Sequence, residues 1–224
     1  MFADREIPHY LPACKWFAYF CIGVCVGIVA FLMDIVESGL VVARNDAADW
    51  AMTSSDGSSW VTWSFLVVWC AIIVSFASFL TIEVGPGANG SGIAECIAYF
   101  NGVNYPQFIS WATFIIKALC VVIAIPGQLF IGKEGPLAHI GANVGALVIH
   151  YIPIPAFDYF KNEMIKREFA AAGCAVGVST AFGAPIGGVL FAYELSKPSN
   201  FWSFEMLWRT FFACATGTYT LSLL

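Results

Sequence analysis

Charge is scarce in this sequence. Asp, Glu, Lys and Arg make up 11% of its 224 residues, whereas soluble domains carry about 25%. Apolar residues reach 59%, against an ordinary share of about 45–50%. Such a composition argues against a soluble globular domain. A basic excess is missing as well: ten Lys and Arg face fifteen Asp and Glu, for a net charge of −5. A nucleic-acid partner would require the opposite balance. There is no Cys-x-x-Cys pair, and Cys21, Cys25, Cys70, Cys120, Cys174 and Cys214 all stand in apolar runs, where a thiol behaves as a small hydrophobe. Neither a zinc site nor a disulfide framework is expected. The first fifteen residues hold Asp4, Glu6 and His9 in place of a basic leader, so 1–15 reads as a cytoplasmic N-terminal segment and 16–33 as a first span, not a cleaved signal. No nucleophile, base and oxyanion grouping is visible, so no enzyme activity, cofactor or metal is expected.

What is present is long uncharged sequence. No Asp, Glu, Lys or Arg falls between Lys15 and Asp34, Asp56 and Glu83, Glu134 and Asp158, or Glu168 and Glu194. A bilayer core of about 30 Å needs about 20 such residues per helix, so the fold class is all-α, a multi-pass integral membrane protein. Aromatics at the edges of these runs, Trp16, Trp60, Trp63, Trp202 and Trp208, suit interfacial anchors or ordinary packing. Gly23 and Gly27 in the first span have the four-residue spacing that lets another helix come close. The acidic stretch 34–59 reads as an exposed connection on the non-cytoplasmic side, and the Lys161, Lys166, Arg167 segment as a cytoplasmic loop.

Three Gly/Pro breaks interrupt the apolar sequence. The helix expected over 60–82 runs into EVGPGANGSGIAE, too rich in Gly and Pro to remain helical. Ile131-Gly132-Lys133-Glu134-Gly135-Pro136 separates apolar runs over 118–130 and 137–149, and Gly183-Ala184-Pro185 divides the run 169–193. Irregular backbone at membrane depth is tolerated where protein or water satisfies it. The breaks therefore predict discontinuous and re-entrant helices, which place binding sites near mid-membrane.

A helix beginning inside the membrane presents unpaired N–H groups and a partial positive charge. Ser91-Gly92 and Gly135-Pro136 both suit helix starts aimed at an anion. Ser91 offers a hydroxyl donor, or alternatively a plain N-cap. Glu134, an ionisable residue between apolar half-helices, costs on the order of 2.5–3.5 kcal/mol at a helix centre on insertion scales. It is a gate candidate, competing with the anion when ionised, or alternatively an interfacial carboxylate paired with Lys133. Lys117 either snorkels to the interface or faces a vestibule. His139 and His150 are expected to pack or to line a pore.

These segments carry a resemblance. Gly90-Ser91-Gly92-Ile93 with Glu95, Gly132-Lys133-Glu134-Gly135-Pro136, and Gly177-Val178-Ser179 through Gly183-Ala184-Pro185 to Phe191 resemble the three signature segments of the CLC family of chloride channels and chloride/proton exchangers. The similarity runs from about Trp16 to the C-terminus, and Tyr99-Phe100-Asn101-Gly102-Val103 is similar to the endolysosomal and plant-vacuolar branch. The resemblance implies chloride binding by Ser91, Gly92, Ile93 and Gly135, gating by Glu134, and supporting roles for Gly90, Gly132, Lys133, Pro136, Gly183, Pro185 and Glu194. It further implies a homodimer with one pore per subunit. Two departures stand out: Ala94 where the family usually has proline, and Leu195 where exchangers commonly carry an internal proton-accepting glutamate. The length matches the first of two inverted repeats, so 16–224 is expected to be a partial CLC transmembrane domain, without the second repeat and the CBS pair. The function expected is a voltage-gated chloride channel or uncoupled chloride transporter; a chloride/proton antiporter and a non-conducting, dimerising fragment are the alternatives.

Overall fold

At the three Gly/Pro breaks in the apolar sequence the helices stop. The computed structural model describes residues 11–54, 59–105, 107–151, 162–197 and 202–224, and among these the regular structure is helical throughout. The helices are α1 (Leu11–Ser54), α2 (Ser59–Phe79), α3 (Ile93–Phe100), α4 (Trp111–Ala124), α5 (Glu134–Tyr151), α6 (Glu163–Phe182), α7 (Pro185–Ser196) and α8 (Phe204–Leu223). After α2 a π turn over Leu80–Val84 and a 3-10 turn over Pro86–Ala88 carry the chain to α3. Asn162 and Ser203 cap α6 and α8, their side chains accepting from the Met164 and Met206 amides at 3.3 and 3.1 Å. Pro185 opens α7, where its missing N–H costs nothing.

α1 corrects the expected boundaries. The stretch 34–54 is not an exposed connection but the continuation of one 44-residue helix. It contains no proline, and its Ala, Leu, Arg and Met residues favour helix strongly enough to carry the scattered acidic residues. Lys166 and Arg167 likewise lie in the opening turns of α6 rather than in a loop. The N-terminal segment up to residue 10 and Lys161 lie outside the described residues. The segments 12–54 and 59–84 are long and apolar enough to cross a membrane. Of the residues of α2 only Ala77 is buried, and Trp60 and Ile72 are 79% and 64% exposed. An apolar helix so little covered by this chain requires an apolar surrounding outside it, lipid or further protein.

Lipid tails are as apolar as leucine, so helices here associate through close packing rather than through escape from water. Small residues provide it. At the crossing of α5 and α6, a methyl group on Gly141 or Gly145 would run into the carbonyl of Gly173 or Phe169, and one on Gly177 into that of Leu137. Gly23 and Gly27 place α1 against α8 as their spacing predicts: added methyl groups would lie 2.7 and 2.8 Å from the carbonyl oxygens of Ala213 and Gly217. A polar tie joins α1 to α6. The fully buried Tyr19 donates its hydroxyl to Glu168 Oε1 at 2.9 Å, and Lys15 pairs with the same carboxylate at 3.3 Å.

Candidate functional site

The first two breaks meet in space. α3 starts after Gly92, whose φ of 84° is left-handed backbone that favours glycine. A side chain there is doubly excluded, because a Cβ would fall within the imidazole of His139. The Ser91 hydroxyl accepts from the Ile93 amide at 3.3 Å, but the N-cap position of α3 is held by Gly92, so Ser91 stands one residue ahead of it. α5 starts at Glu134, and a methyl group at Gly135 would sit 2.8 Å from Ser91 Cβ. Two helix N-termini, belonging to segments more than forty residues apart, are thus in direct contact. Each presents free amides and a partial positive charge of about +0.5.

Both ends face one cavity of about 740 Å³, lined by Gly90, Ser91, Ile93, Gly132, Glu134, Gly135 and Pro136, and closed laterally by Ala77 and Thr81 before α3 and by Lys117 and Cys120 of α4. The half-buried Glu134 carboxylate folds back on Gly132; a Cβ at Gly132 would collide with Oε2. It therefore shares the cavity wall with the amide ends that attract anions, and an ionised carboxylate and an entering anion compete there.

Lys133 is not the partner of Glu134. Its ammonium bonds Asp34 Oδ1 at 2.7 Å and lies 3.8 Å from Glu37 Oε2. The continuation of α1 sets these two carboxylates one turn apart on the face that meets the second break, which removes the pairing that would have made Glu134 a neutralised surface residue.

Lys117 does not snorkel to the surface but faces a cavity. It is 2% exposed in this chain, it lines the cavity, and its Nζ lies 2.8 Å from His139 Nδ1. Among the described residues no carboxylate comes within 4 Å of its Nζ. A buried cation costs several kcal/mol unless negative charge offsets it, and the Glu95 carboxylate in the first turn of α3 acts on this ammonium through space. A lone lysine in an otherwise apolar helix was the visible signal; its depth and its partner were not. His139 is a fully buried packing residue behind the cavity, stacked on Phe108 with ring centroids 4.6 Å apart. The side chain of His150 lies outside the described residues.

The third break does not reach this cavity. Gly183, with a φ of 64°, ends α6 and Pro185 begins α7. Glu194 is exposed and pairs with Lys197 at 3.6 Å. Leu195 packs against the buried cluster that includes Cys96 and Tyr99, and its carbonyl accepts from Asn101 Nδ2 at 3.4 Å. The end of α7 is thereby joined to the end of α3. No ionisable side chain occupies the Leu195 position.

Comparison with known proteins agrees with this architecture. Residues 71–224 match the family model described as voltage gated chloride channel. The chain is 36% identical over 220 residues to chloride channel protein A of Dictyostelium discoideum, covering 94% of this chain and 25% of that protein. It is 33% identical over 217 residues to the human H(+)/Cl(-) exchange transporter 7, covering 93% of this chain and 27% of the relative. The chain thus spans about a quarter of the length of these relatives. In fold it superposes on a eukaryotic CLC transporter with a TM-score of 0.82 at 22% identity, covering 96% of this chain and 39% of that one. With the family model spanning residues 71–224 and the Gly/Pro breaks, helix starts and Glu134 in the order the resemblance requires, the chain belongs to the voltage-gated chloride channel (CLC) family.

Proposed function

We propose that this chain supplies part of a membrane pathway for chloride, with Ser91 and the amide ends of α3 and α5 binding the ion and the Glu134 carboxylate acting as the gate. One observation carries the reading: two helix N-termini and the buried Lys117 ammonium converge on a single cavity whose wall also holds a carboxylate. Three positive ends favour an anion there, and a small spherical ion suits a site built from amides and one hydroxyl. Ionised and folded inward, Glu134 occupies the space the anion needs; protonated or swung away, it leaves that space free.

Leu195 favours uncoupled movement, since a leucine cannot carry a proton. The antiporter is the second reading, and the relative named H(+)/Cl(-) exchange transporter 7 favours it. In that case water or another group delivers protons to Glu134. The active unit is proposed to be a homodimer in the lipid bilayer, each subunit contributing its own cavity.

Chloride release from liposomes reconstituted with the 224-residue chain, with external pH recorded in the same vessel, tests the proposal. Release without proton movement supports the uncoupled pathway. Stoichiometric proton movement replaces it with the antiporter, and no release from folded protein refutes conduction by this chain alone, leaving the dimerising fragment.

A further inference from the structure

Lys117 and His139 raise a question that the pathway does not answer: what holds a flexible ammonium in place at the cavity wall. Hydrogen-bond chemistry fixes the roles of the two ring nitrogens. His139 Nε2 lies 3.1 Å from the Phe108 carbonyl oxygen, which can only accept, so Nε2 carries the proton. In a neutral imidazole Nδ1 then holds a lone pair, and the Lys117 ammonium 2.8 Å away donates to it. A proton on Nδ1 would set two N–H donors against each other, so the doubly protonated ring does not fit this arrangement.

The surroundings keep the ring in this orientation. It stacks on Phe108 with an interplanar angle of 9°, Gly92 leaves room for it and for nothing larger, and Asn143, one turn along α5, binds the same loop by accepting from the Ser110 amide at 3.1 Å. Lys117 has three N–H donors and gives one to His139, leaving two for the cavity it lines. Because the chain of hydrogen bonds ends on a backbone carbonyl, it offers no onward route for a proton. It is suited to holding a charge in place, not to relaying one.

We propose that His139, as a neutral ring protonated on Nε2, is a positioning residue that holds the Lys117 ammonium against the anion cavity. The proposal rests on the anion-pathway reading for its function, but the hydrogen-bond arrangement is measurable without any anion.

The test is nitrogen NMR of the 224-residue chain in lipid nanodiscs, with 15N-labelled histidine and His9→Gln and His150→Gln introduced so that His139 is the single labelled ring. The expected spectrum shows a protonated Nε2 and an unprotonated Nδ1, and Lys117→Met moves the Nδ1 resonance while Nε2 stays bonded. A protonated Nδ1, or an Nδ1 resonance that Lys117→Met leaves unmoved, overturns the proposal with position 139 unaltered. Calorimetric chloride titration of the same preparations reads the function. His139→Gln keeps an acceptor for Lys117 and a donor for Phe108, so its affinity stays within about threefold of the parent, whereas His139→Leu loses about tenfold. Equal losses in the two variants overturn the positioning role. A parent chain with the expected ring spectrum that binds no chloride refutes the anion-pathway reading and the function given to the pair. Chloride binding with a different ring spectrum refutes only the His139 proposal.

Discussion

Replacing Gly135 by alanine separates the contact between α3 and α5 from the stability of either helix. The new methyl group would lie 2.8 Å from Ser91 Cβ, whereas carbon atoms in contact sit about 3.5–4.0 Å apart. The two helix starts must therefore move apart by roughly 0.7–1.2 Å to accommodate it. Within the helix itself the change is favourable, because alanine is a better helix former than glycine by about 1 kcal/mol. The forced separation opposes that gain, since overpacking typically costs about 1–3 kcal/mol, so stability should fall by no more than about 2 kcal/mol. A displacement of that size takes the Ser91 hydroxyl and one set of amides out of hydrogen-bond reach of an ion held by the other. Loss of one hydrogen bond to a charged group costs about 1.5–3 kcal/mol, so chloride affinity should fall by about ten- to a hundredfold. Calorimetric chloride titration of Gly135→Ala against the parent, with thermal unfolding in the same detergent as control, makes the comparison. Unchanged affinity in a folded variant would show that the ion does not lie between the two helix ends and would refute the shared-cavity argument.

Other consequences follow from the same contacts. Glu134→Gln removes the competing negative charge and should raise chloride affinity by roughly tenfold, as expected of a partly screened repulsion; an affinity that falls would assign Glu134 to the binding side. Gly173→Leu forces a large side chain into the Gly141 carbonyl and should destabilise the chain by about 3 kcal/mol or more, read as a lowered unfolding midpoint in detergent. Tyr19→Phe deletes the buried hydroxyl bonded to Glu168 and should cost about 1.5–3 kcal/mol in the same assay, with no effect on chloride affinity. The Lys133–Asp34 pair is one-third to two-fifths exposed, so a double-mutant cycle with Asp34→Asn and Lys133→Met should return a coupling energy of only about 0.2–1 kcal/mol.

The features legible in the sequence are those governed by local chemistry. Pro86, Pro136 and Pro185 cannot continue a helix and can begin one, so the breaks and the helix starts near them were readable directly. The shortage of charge fixed the solvent as lipid, and the Gly23/Gly27 spacing announced a close approach though not its partner. Ser91 stands out as a hydroxyl beside a helix start, and Glu134 because a carboxylate in apolar sequence is costly to place without a use. The acidic residues and Gly39 of 34–54 favour a loop by composition, yet no proline interrupts the stretch and α1 continues through it.

Relations through space were decided by the tertiary structure alone. Nothing in the order of residues says that the starts of α3 and α5 touch, since that contact is set by how α4 returns the chain and by what Gly135 leaves open. Lys133 neighbours Glu134 in sequence, yet bonds Asp34, which lies 99 positions away, because opposite charges pair according to distance in space. Lys117 faces the cavity instead of snorkelling to the surface, and its contact with a histidine of another helix is visible only in the assembled structure. Backbone preference acts over a few residues and is written in the sequence. Charge, burial and close packing act over a few ångströms between residues from anywhere in the chain, and they take their values only when the helices are assembled.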